Sequence, residues 1–281
     1  MKISAVIPTY NNAAFIEEAI DSILAQSHPV DEIIVVDDGS SDHSETLVKA
    51  IAQKSDKLTY IKQQNQGPSS ARNRGIEVAS GDWIAFLDAD DRWPADKIAL
   101  QLAALEREPS LQLIAGDMAE TDEQGNVLVE SMLAKHRLLG QFQTLKGRPL
   151  NNALTALVEK NFIPTGTVLV KRSALHEAGC FNADIRFGED LELWAKIACH
   201  HPITCLPQRL MYRRQHGANA TQNTGPMLED LVKVMGSIGQ YGAEQLRRQG
   251  VKPSTLRASA LADLGYWHFS QGNYRQARNV F

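Results

Sequence analysis

Three carboxylates crowd into four residues at Asp88-Ala89-Asp90-Asp91, directly behind the apolar run Trp83 to Leu87. Like charges this close repel unless a cation sits among them, and hard oxygen ligands at this spacing suit Mg²⁺ or Mn²⁺ shared with a diphosphate. The plain alternative is a solvated acidic turn. A second acidic group, Asp37-Asp38-Gly39-Ser40-Ser41-Asp42, ends the run Glu32 to Val36. Asp37 and Asp42 suit capping or turning the chain. Asp38, at the strand tip, can accept a hydrogen bond from a ring N–H such as that of uracil.

Two further polar loops follow apolar runs. Pro8-Thr9-Tyr10-Asn11-Asn12 combines a rigid turn, an aromatic face able to stack on a nucleobase, and an Asn that could equally cap the next helix. Gly67-Pro68-Ser69-Ser70-Ala71-Arg72-Asn73 starts a helix at Pro68 and places Arg72 one turn in. The first N–H groups of that helix and the Arg72 guanidinium can meet an anion or a base edge. Neither Gly-x-Gly-x-x-Gly nor Gly-x-x-x-x-Gly-Lys occurs, so a dinucleotide fingerprint and a P-loop are both missing.

These loops need a scaffold that brings them together, and the periodicity supplies one. Ile3 to Ile7 reads as a strand and Asn12 to Gln26 as a helix with Phe15, Ala19, Ile20, Ile23 and Leu24 on one face. The pattern repeats as Glu32 to Val36 with Ser44 to Gln53, Leu58 to Gln63 with Ser69 to Ala79, and Trp83 to Leu87 with Asp96 to Arg107. Four β-α units in a row predict an α/β fold with a mostly parallel central sheet flanked by helices. In such sheets ligands sit beyond the carboxyl ends of the strands, where all four polar loops fall.

Beyond residue 110 the rhythm changes. Leu111 to Met118 and Val127 to Val129, joined by a turn at Asp122 to Asn126, predict a hairpin projecting from the sheet. Helices are expected at Asn151 to Glu159 and Asp190 to Ala198, with a strand at Thr167 to Val170. Gly225-Pro226 breaks the chain before a helical tail from Met227 onward, itself interrupted at Gly250 to Pro253. The expected division is therefore 1–225, made of halves 1–110 and 111–225, and a helical tail 226–281. Within the tail, Leu264-Gly265, Phe269, Gly272-Asn273-Tyr274, Ala277 and Phe281 have the spacing of one tetratricopeptide unit, or of an ordinary amphipathic helix pair. Gly236, Gly239 and Gly242 read as a closely packed helix segment.

Composition bounds the function. The 281 residues are 43% hydrophobic, enough for one large or two small packed domains. A formal net charge of −4 with no basic patch speaks against nucleic acid as a partner. No apolar run approaches the roughly 20 residues of a membrane helix, and the first residues turn polar too early for a signal-peptide core. The cysteines, 3 in number, give no disulfide framework, and Cys199-His200-His201 with Cys205 fits no common zinc spacing. A cytoplasmic protein is expected, compatible with docking at the inner face of a membrane. The sequon Asn219-Ala220-Thr221 then reads as chance.

Taken together and in order, Pro8-Thr9-Tyr10-Asn11, Val36-Asp37-Asp38-Gly39-Ser40, Gly67 to Asn73 and Asp88-Ala89-Asp90-Asp91 resemble the family 2 glycosyltransferases of GT-A fold. The likeness runs from Met1 to Asn219 through Asn161-Phe162-Ile163-Pro164 and Gly188-Glu189-Asp190-Leu191-Glu192-Leu193-Trp194, which look like the family's acceptor-side segment. It implies inverting transfer from a nucleoside-diphosphate sugar, with a UDP-sugar favoured, to a glycan, lipid-linked or protein acceptor. It also implies Mn²⁺ or Mg²⁺ as cofactor and work in surface polysaccharide or glycoconjugate synthesis. On this resemblance Pro8, Thr9, Tyr10, Asp38 and Arg72 hold base and ribose, Asp88 touches ribose and approaches the metal, Asp90 ligates it, and Asp190 is the general base. His216, in Tyr212-Arg213-Arg214-Gln215-His216, resembles a residue near the diphosphate or metal; aligned on it, Arg214 takes the family's Arg place and Tyr212 falls one residue early. Two other readings remain: a sugar-phosphate nucleotidyltransferase, which would want a Gly-rich loop with Arg after the first strand, and an inactive scaffold acting on a protein partner through the helical tail.

Overall fold

The computed structural model describes residues 1–217 and 224–280. The sequon at 219–221 and the last residue of the tetratricopeptide-like spacing, Phe281, lie outside the described residues. In chain order the elements are β1 (Ile3–Thr9), α1 (Ile16–Leu24), β2 (Glu32–Asp37), α2 (Ser44–Ala52), β3 (Leu58–Lys62), α3 (Pro68–Val78), β4 (Trp83–Phe86) and α4 (Lys97–Arg107). They continue as β5 (Leu113–Thr121), β6 (Val127–Val129), α5 (Met132–Lys135), α6 (Leu139–Leu145), α7 (Ala153–Glu159), β7 (Leu169–Lys171), α8 (Arg172–Ala178), α9 (Glu189–His200) and β8 (Ile203–Arg214). The tail carries α10 (Thr224–Tyr241), α11 (Ala243–Arg248), α12 (Pro253–Ser270) and α13 (Tyr274–Val280).

The four expected β-α units are present. The sheet runs β3-β2-β1-β4-β7-β5-β6, with β8 also on β5. Strands β1 to β4 are mutually parallel, and β8 runs parallel to β5; β7 is antiparallel to both β4 and β5. The carboxyl ends of β1, β2, β3, β4, β5 and β8 therefore share one edge of a mixed sheet. The order departs from the sequence at β1, where the chain has used one side for β2 and β3 and returns on the other with β4. That reversal opens the crevice in which an α/β sheet binds its ligands.

Alternation along the strands fills both faces. Ala5, Ile7, Ile33, Val35 and Ala85 pack with Ile16, Ala19, Ile20, Ile23, Val48 and Ile98 of α1, α2 and α4. Val6, Ile34, Val36, Ile84 and Phe86 face the other way, onto Ala71 and Ile76 of α3, Trp194 of α9, and Val234 and Ile238 of α10. Strands buried on both faces read as continuous apolar runs, which is what Ile3 to Ile7 and Ile33 to Val36 show. Gly75 permits the closest contact of this layer: a Cβ there would come within 2.3 Å of Val6 Cγ1.

Several expectations change in detail. Helix α1 begins at Ile16 rather than Asn12, because Asn11 takes a left-handed φ of 54° and Asn12 O receives the amides of Phe15 and Ile16. Ile16 replaces Phe15 on the buried face, Leu24 is exposed, and the Phe15 ring turns to His216, 5.2 Å away between centroids. The expected projecting hairpin is mostly internal: β5 pairs with β8 along its length and with β7 at its start, and only Glu120 and Thr121 meet β6. Thr165–Thr167 forms a short 3₁₀ turn before β7.

The tail is helical and breaks before Pro253 as read, with a further break at Gly242, where a Cβ would lie 2.9 Å from Leu154 Cδ2. Gly239 lies against the carbonyl of Pro253, which accounts for the small residues on α10. Contacts cross residue 225 freely. Asp230 Oδ2 accepts the amides of Arg186 and Phe187 at 2.9 and 3.1 Å, and Ser237 donates to Glu192. Helix α10 thus braces the start of α9 from behind. No helix among the described residues is long and apolar enough to cross a membrane.

Candidate active site

The strand-end edge gathers the residues singled out by type. Pro8 and Thr9 are buried at the end of β1, and Tyr10 stands out at the rim with 49% of its surface exposed. Thr9 Oγ1 is buried without a hydrogen-bond partner. Next door, Asp37 braces the β2 loop by accepting the Ser40 amide and the Tyr60 hydroxyl. Asp38 reaches across to the following loop. Its Oδ1 accepts Gln66 N at 2.9 Å and Gln63 Nε2 at 2.8 Å, and its Oδ2 accepts Gly67 N at 2.7 Å. A carboxylate offers about four acceptor positions, so these three leave roughly one for another donor. Asp38 is thus the residue that shapes the loop from which α3 starts.

Gly67 caps α3 at φ 88°, a value glycine adopts without strain, and Pro68 follows at the first helical position. One turn on, Arg72 points into the molecule. Its Nη2 donates to Asp88 Oδ1 at 2.7 Å and its Nη1 to Glu189 Oε1 at 2.9 Å. The guanidinium sits 5.3 Å from the centre of the Phe181 ring, and Nε has no partner. Burial works against the Arg72 charge, but Asp88 and Glu189 outweigh it and hold the guanidinium more firmly protonated than usual. Arg72 therefore backs Asp88 from inside the fold, and its terminal nitrogens are already engaged.

At the end of β4, the three carboxylates take three different roles. Asp88 faces Arg72 and is partly exposed. Asp90 Oδ2 lies 2.9 Å from His216 Nε2. Asp91 is buried and accepts the Arg214 amide at 2.9 Å. Burial, then the charges of Asp90 and Asp88, raise Asp91 well above the usual carboxylate range. The Arg214 side chain ties this corner together: Nε reaches Asp90 O at 3.2 Å, Nη1 reaches Glu123 O at 2.7 Å, and Nη2 pairs with Glu18 of α1. Tyr212, one residue early for the family pattern, uses its backbone to pair with Arg92 and its ring to cover the Arg92 guanidinium.

Across the crevice, α9 opens with Glu189 and Asp190 behind Gly188. Asp190 Oδ1 accepts Leu191 N at 2.6 Å, and Oδ2 faces the Thr165 hydroxyl at 3.4 Å. A helix start favours an ionised carboxylate, yet Asp190 is raised: burial outweighs Leu191, Arg72 and Asn161, which lower it. Glu189 is pushed up to about 7, chiefly by burial and then by the Asp190 charge, with Arg72 pulling the other way. Glu189 thus faces Asp88 across a single arginine, with Asp190 beside it, and burial raises the proton affinity of both carboxylates of this helix start.

Among the described residues, no three His, Cys, Asp or Glu side chains form a ready metal cage. Asp88 and Asp90 supply carboxylate oxygens, and the Asp90–His216 pair sets an imidazole beside one of them. Such oxygen and nitrogen donors fit a hard divalent ion of the Mg²⁺ or Mn²⁺ kind, completed by oxygens of a bound diphosphate.

The arrangement of an acidic strand end at Asp88 to Asp91 and an acidic helix start at Glu189 and Asp190, joined by Arg72, agrees with comparisons to known proteins. A family model described as glycosyl transferase family 2 matches residues 4–177. The chain belongs to glycosyltransferase family 2. An uncharacterized glycosyltransferase of Rickettsia conorii is 32% identical over 228 residues, covering 78% of this chain and 34% of the relative. A putative teichuronic acid biosynthesis glycosyltransferase of Bacillus subtilis is 38% identical over 101 residues, 36% of this chain and 40% of that one. The chain spans about a third of the length of the Rickettsia relatives it matches first.

Solved structures give the same fold. S. aureus TarS 1-349 in complex with UDP superposes with a TM-score of 0.66 at 20% identity, covering 96% of this family 2 chain and 72% of that one. The same protein in complex with UDP-GlcNAc gives 0.67 at 20% identity, with 94% and 81% covered. At this identity the likeness speaks for the GT-A architecture. Sequence reasoning had not picked out Glu189, the Arg72 bridge or the brace from α10. The signal for Glu189 was its place beside Asp190; nothing in sequence linked either to Arg72 or Asp230.

Proposed function

We propose that this chain is an inverting glycosyltransferase that moves a sugar from a nucleoside-diphosphate sugar, with UDP-sugars favoured, to an acceptor hydroxyl in surface polysaccharide or glycoconjugate synthesis. The observation that carries the reading is the bridge made by buried Arg72, which joins Asp88, on the donor side, to Glu189, the neighbour of Asp190, on the acceptor side. TarS was crystallised with UDP and with UDP-GlcNAc, and a relative is named for teichuronic acid synthesis, which favours a uridine donor and a cell-surface glycan acceptor.

In the reaction, the acceptor oxygen forms a bond to the anomeric carbon from the face opposite the diphosphate, and the bond from that carbon to the diphosphate oxygen breaks. Inversion follows from that single displacement. Asp190 takes the acceptor proton, for which its raised affinity is suited: a base too weakly basic would not pull the proton at neutral pH. Pro8, Thr9, Tyr10 and Asp38 would line the base and ribose side, with Arg72 holding Asp88 toward the ribose. Asp88, Asp90 and His216 would hold Mn²⁺ or Mg²⁺, which when bound neutralises charge growing on the departing diphosphate.

Residues 1–225 form the transferase unit of this reading, and 226–281 its helical extension. A cytoplasmic location, at the inner face of the membrane when the acceptor is lipid-linked, belongs to the same proposal. Calorimetric titration of UDP, dTDP, GDP and CDP, each with Mn²⁺ and again with EDTA, tests it. Metal-dependent binding of one diphosphate is expected, and binding of none would overturn the donor site.

A further inference from the structure

Arg72 joins two segments that meet nowhere else in sequence. Asp88 follows β4 and belongs to the donor side; Glu189 is the first residue of α9 and immediately precedes Asp190. The guanidinium is 6% exposed and donates one terminal nitrogen to each carboxylate. Phe181 closes its open face. On the far side, Asp230 of α10 accepts the amides of Arg186 and Phe187, and Val234 lies where a Cβ on Gly188 would be 3.4 Å away. The first turn of α9 is thus fixed from behind by α10 and from the front by Arg72. Asp190 itself makes no hydrogen bond to the arginine; its direction follows from the turn that Glu189 anchors.

We propose that Glu189 is a positioning residue: through Arg72 it ties the first turn of α9, and with it Asp190, to the loop that carries Asp88, so that a nucleotide bound at Asp88 orders the base that serves the acceptor. The inference rests on the donor site proposed above. Its physical basis is the guanidinium fork. A planar group with fixed N–H directions cannot shift toward one carboxylate without turning away from the other. A ligand that engages the second oxygen of Asp88 holds the Oδ1 contact in place, and Arg72 then holds Glu189. Lysine, a single charged point on a flexible stem, would serve either carboxylate but not both in one geometry. The device makes sense for a transferase, because a base aligned only when donor is present limits loss of the activated sugar to water.

The test combines calorimetry with amide hydrogen exchange over residues 188–194, using UDP with Mn²⁺ as the probe on the whole chain. In the unsubstituted protein, UDP should slow exchange in this segment about threefold or more. At pH 8, where Glu189 is ionised, Glu189→Gln gives up the charge that holds Arg72 and should bind UDP within about threefold of that protein yet lose the UDP-dependent slowing. Glu189→Asp keeps the charge but falls short of Nη1, and should recover part of it. With UDP-GlcNAc as substrate and water as acceptor, Glu189→Gln should lower kcat about tenfold or more while donor KM stays within about threefold, since misplacement near 1 Å costs up to about 10²-fold. Equal slowing in the unsubstituted and Gln proteins would overturn the inference, as would UDP binding that leaves 188–194 unchanged in the unsubstituted protein. Absence of UDP binding to the unsubstituted protein is a different failure: it removes the donor site first and the inference with it. Should Glu189→Gln not fold, Glu189→Asp alone decides, by showing reduced or undiminished slowing.

Discussion

His216 brings its Nε2 to 2.9 Å from Oδ2 of Asp90, although 126 residues separate them in the chain. The contact exists because β8 runs parallel to β5 and so ends on the same edge as β4. It places an imidazole beside the carboxylate that the family resemblance assigns to the metal. Asp90→Ala should remove metal-dependent binding of the diphosphate, weakening it at least about tenfold, or about 1.4 kcal/mol. His216→Ala should weaken it less, because one carboxylate oxygen of Asp90 stays in place. Titration of UDP with Mn²⁺ checks both, and equal affinity in Asp90→Ala and the unsubstituted protein would remove Asp90 from the site.

Asp190→Asn separates proton transfer from donor binding. The amide fills the same space beside Thr165 and Leu191 but cannot take the acceptor proton. Turnover should fall about 10²- to 10⁴-fold, the range for a positioned general base, while UDP affinity stays within about twofold. Steady-state kinetics and calorimetry on the same preparation measure the two effects. Undiminished turnover would reassign the base, with Glu189 next to be examined.

How far the sequence disclosed this site depends on the range of the interaction. The β-α units were legible because alternation and helical periodicity are local, and Ala5, Ile7, Ile33 and Val35 carry that pattern unbroken. The loops at Thr9, Asp38, Arg72 and Asp88 were legible as strand ends for the same reason. What Asp38 does was not: its grip on the amides of Gln66 and Gly67 depends on β2 and β3 being neighbours, which no spacing reveals. The same holds for Arg72 and Glu189, 117 residues apart. The hairpin at Leu111 to Val129 misled because its turn signal is strong, while the partners that draw β5 into the sheet come later, at Leu169 and Ile203 to Arg214. A helix start favours an ionised Asp190; burial, which a sequence does not state, decides the direction of its shift instead.

Gly75 offers a test of the layer that holds Arg72. Helix propensity alone would make Gly75→Ala stabilising by about 1 kcal/mol. The new methyl would, however, meet Val6 Cγ1 at 2.3 Å, and Val6 is a buried β-branched residue of β1. Overpacking of this kind costs about 1–3 kcal/mol, so a net loss of up to about 2 kcal/mol in urea unfolding is expected. A gain would mean that α3 can slide on β1, and with it Arg72 on Asp88.

The pH dependence of stability should report on Glu189. Its carboxyl is pushed up to about 7 from an ordinary value of 4.5, first by burial and then by Asp190. A folded state that holds a proton more tightly than the unfolded chain takes up that proton between pH 4.5 and 7. The stabilisation from this group is therefore complete below pH 4.5 and is lost as pH rises through 7. Glutamine at 189 cannot titrate and resembles the protonated acid. The Tm of Glu189→Gln relative to the unsubstituted protein should then rise from pH 5 to about pH 7 and level off by pH 8, whatever the other carboxylates contribute to both. Melting curves at four pH values decide the matter. A difference that stays flat would mean that Arg72 keeps Glu189 ionised throughout, and that the bridge is a fixed ion pair at every pH in that range.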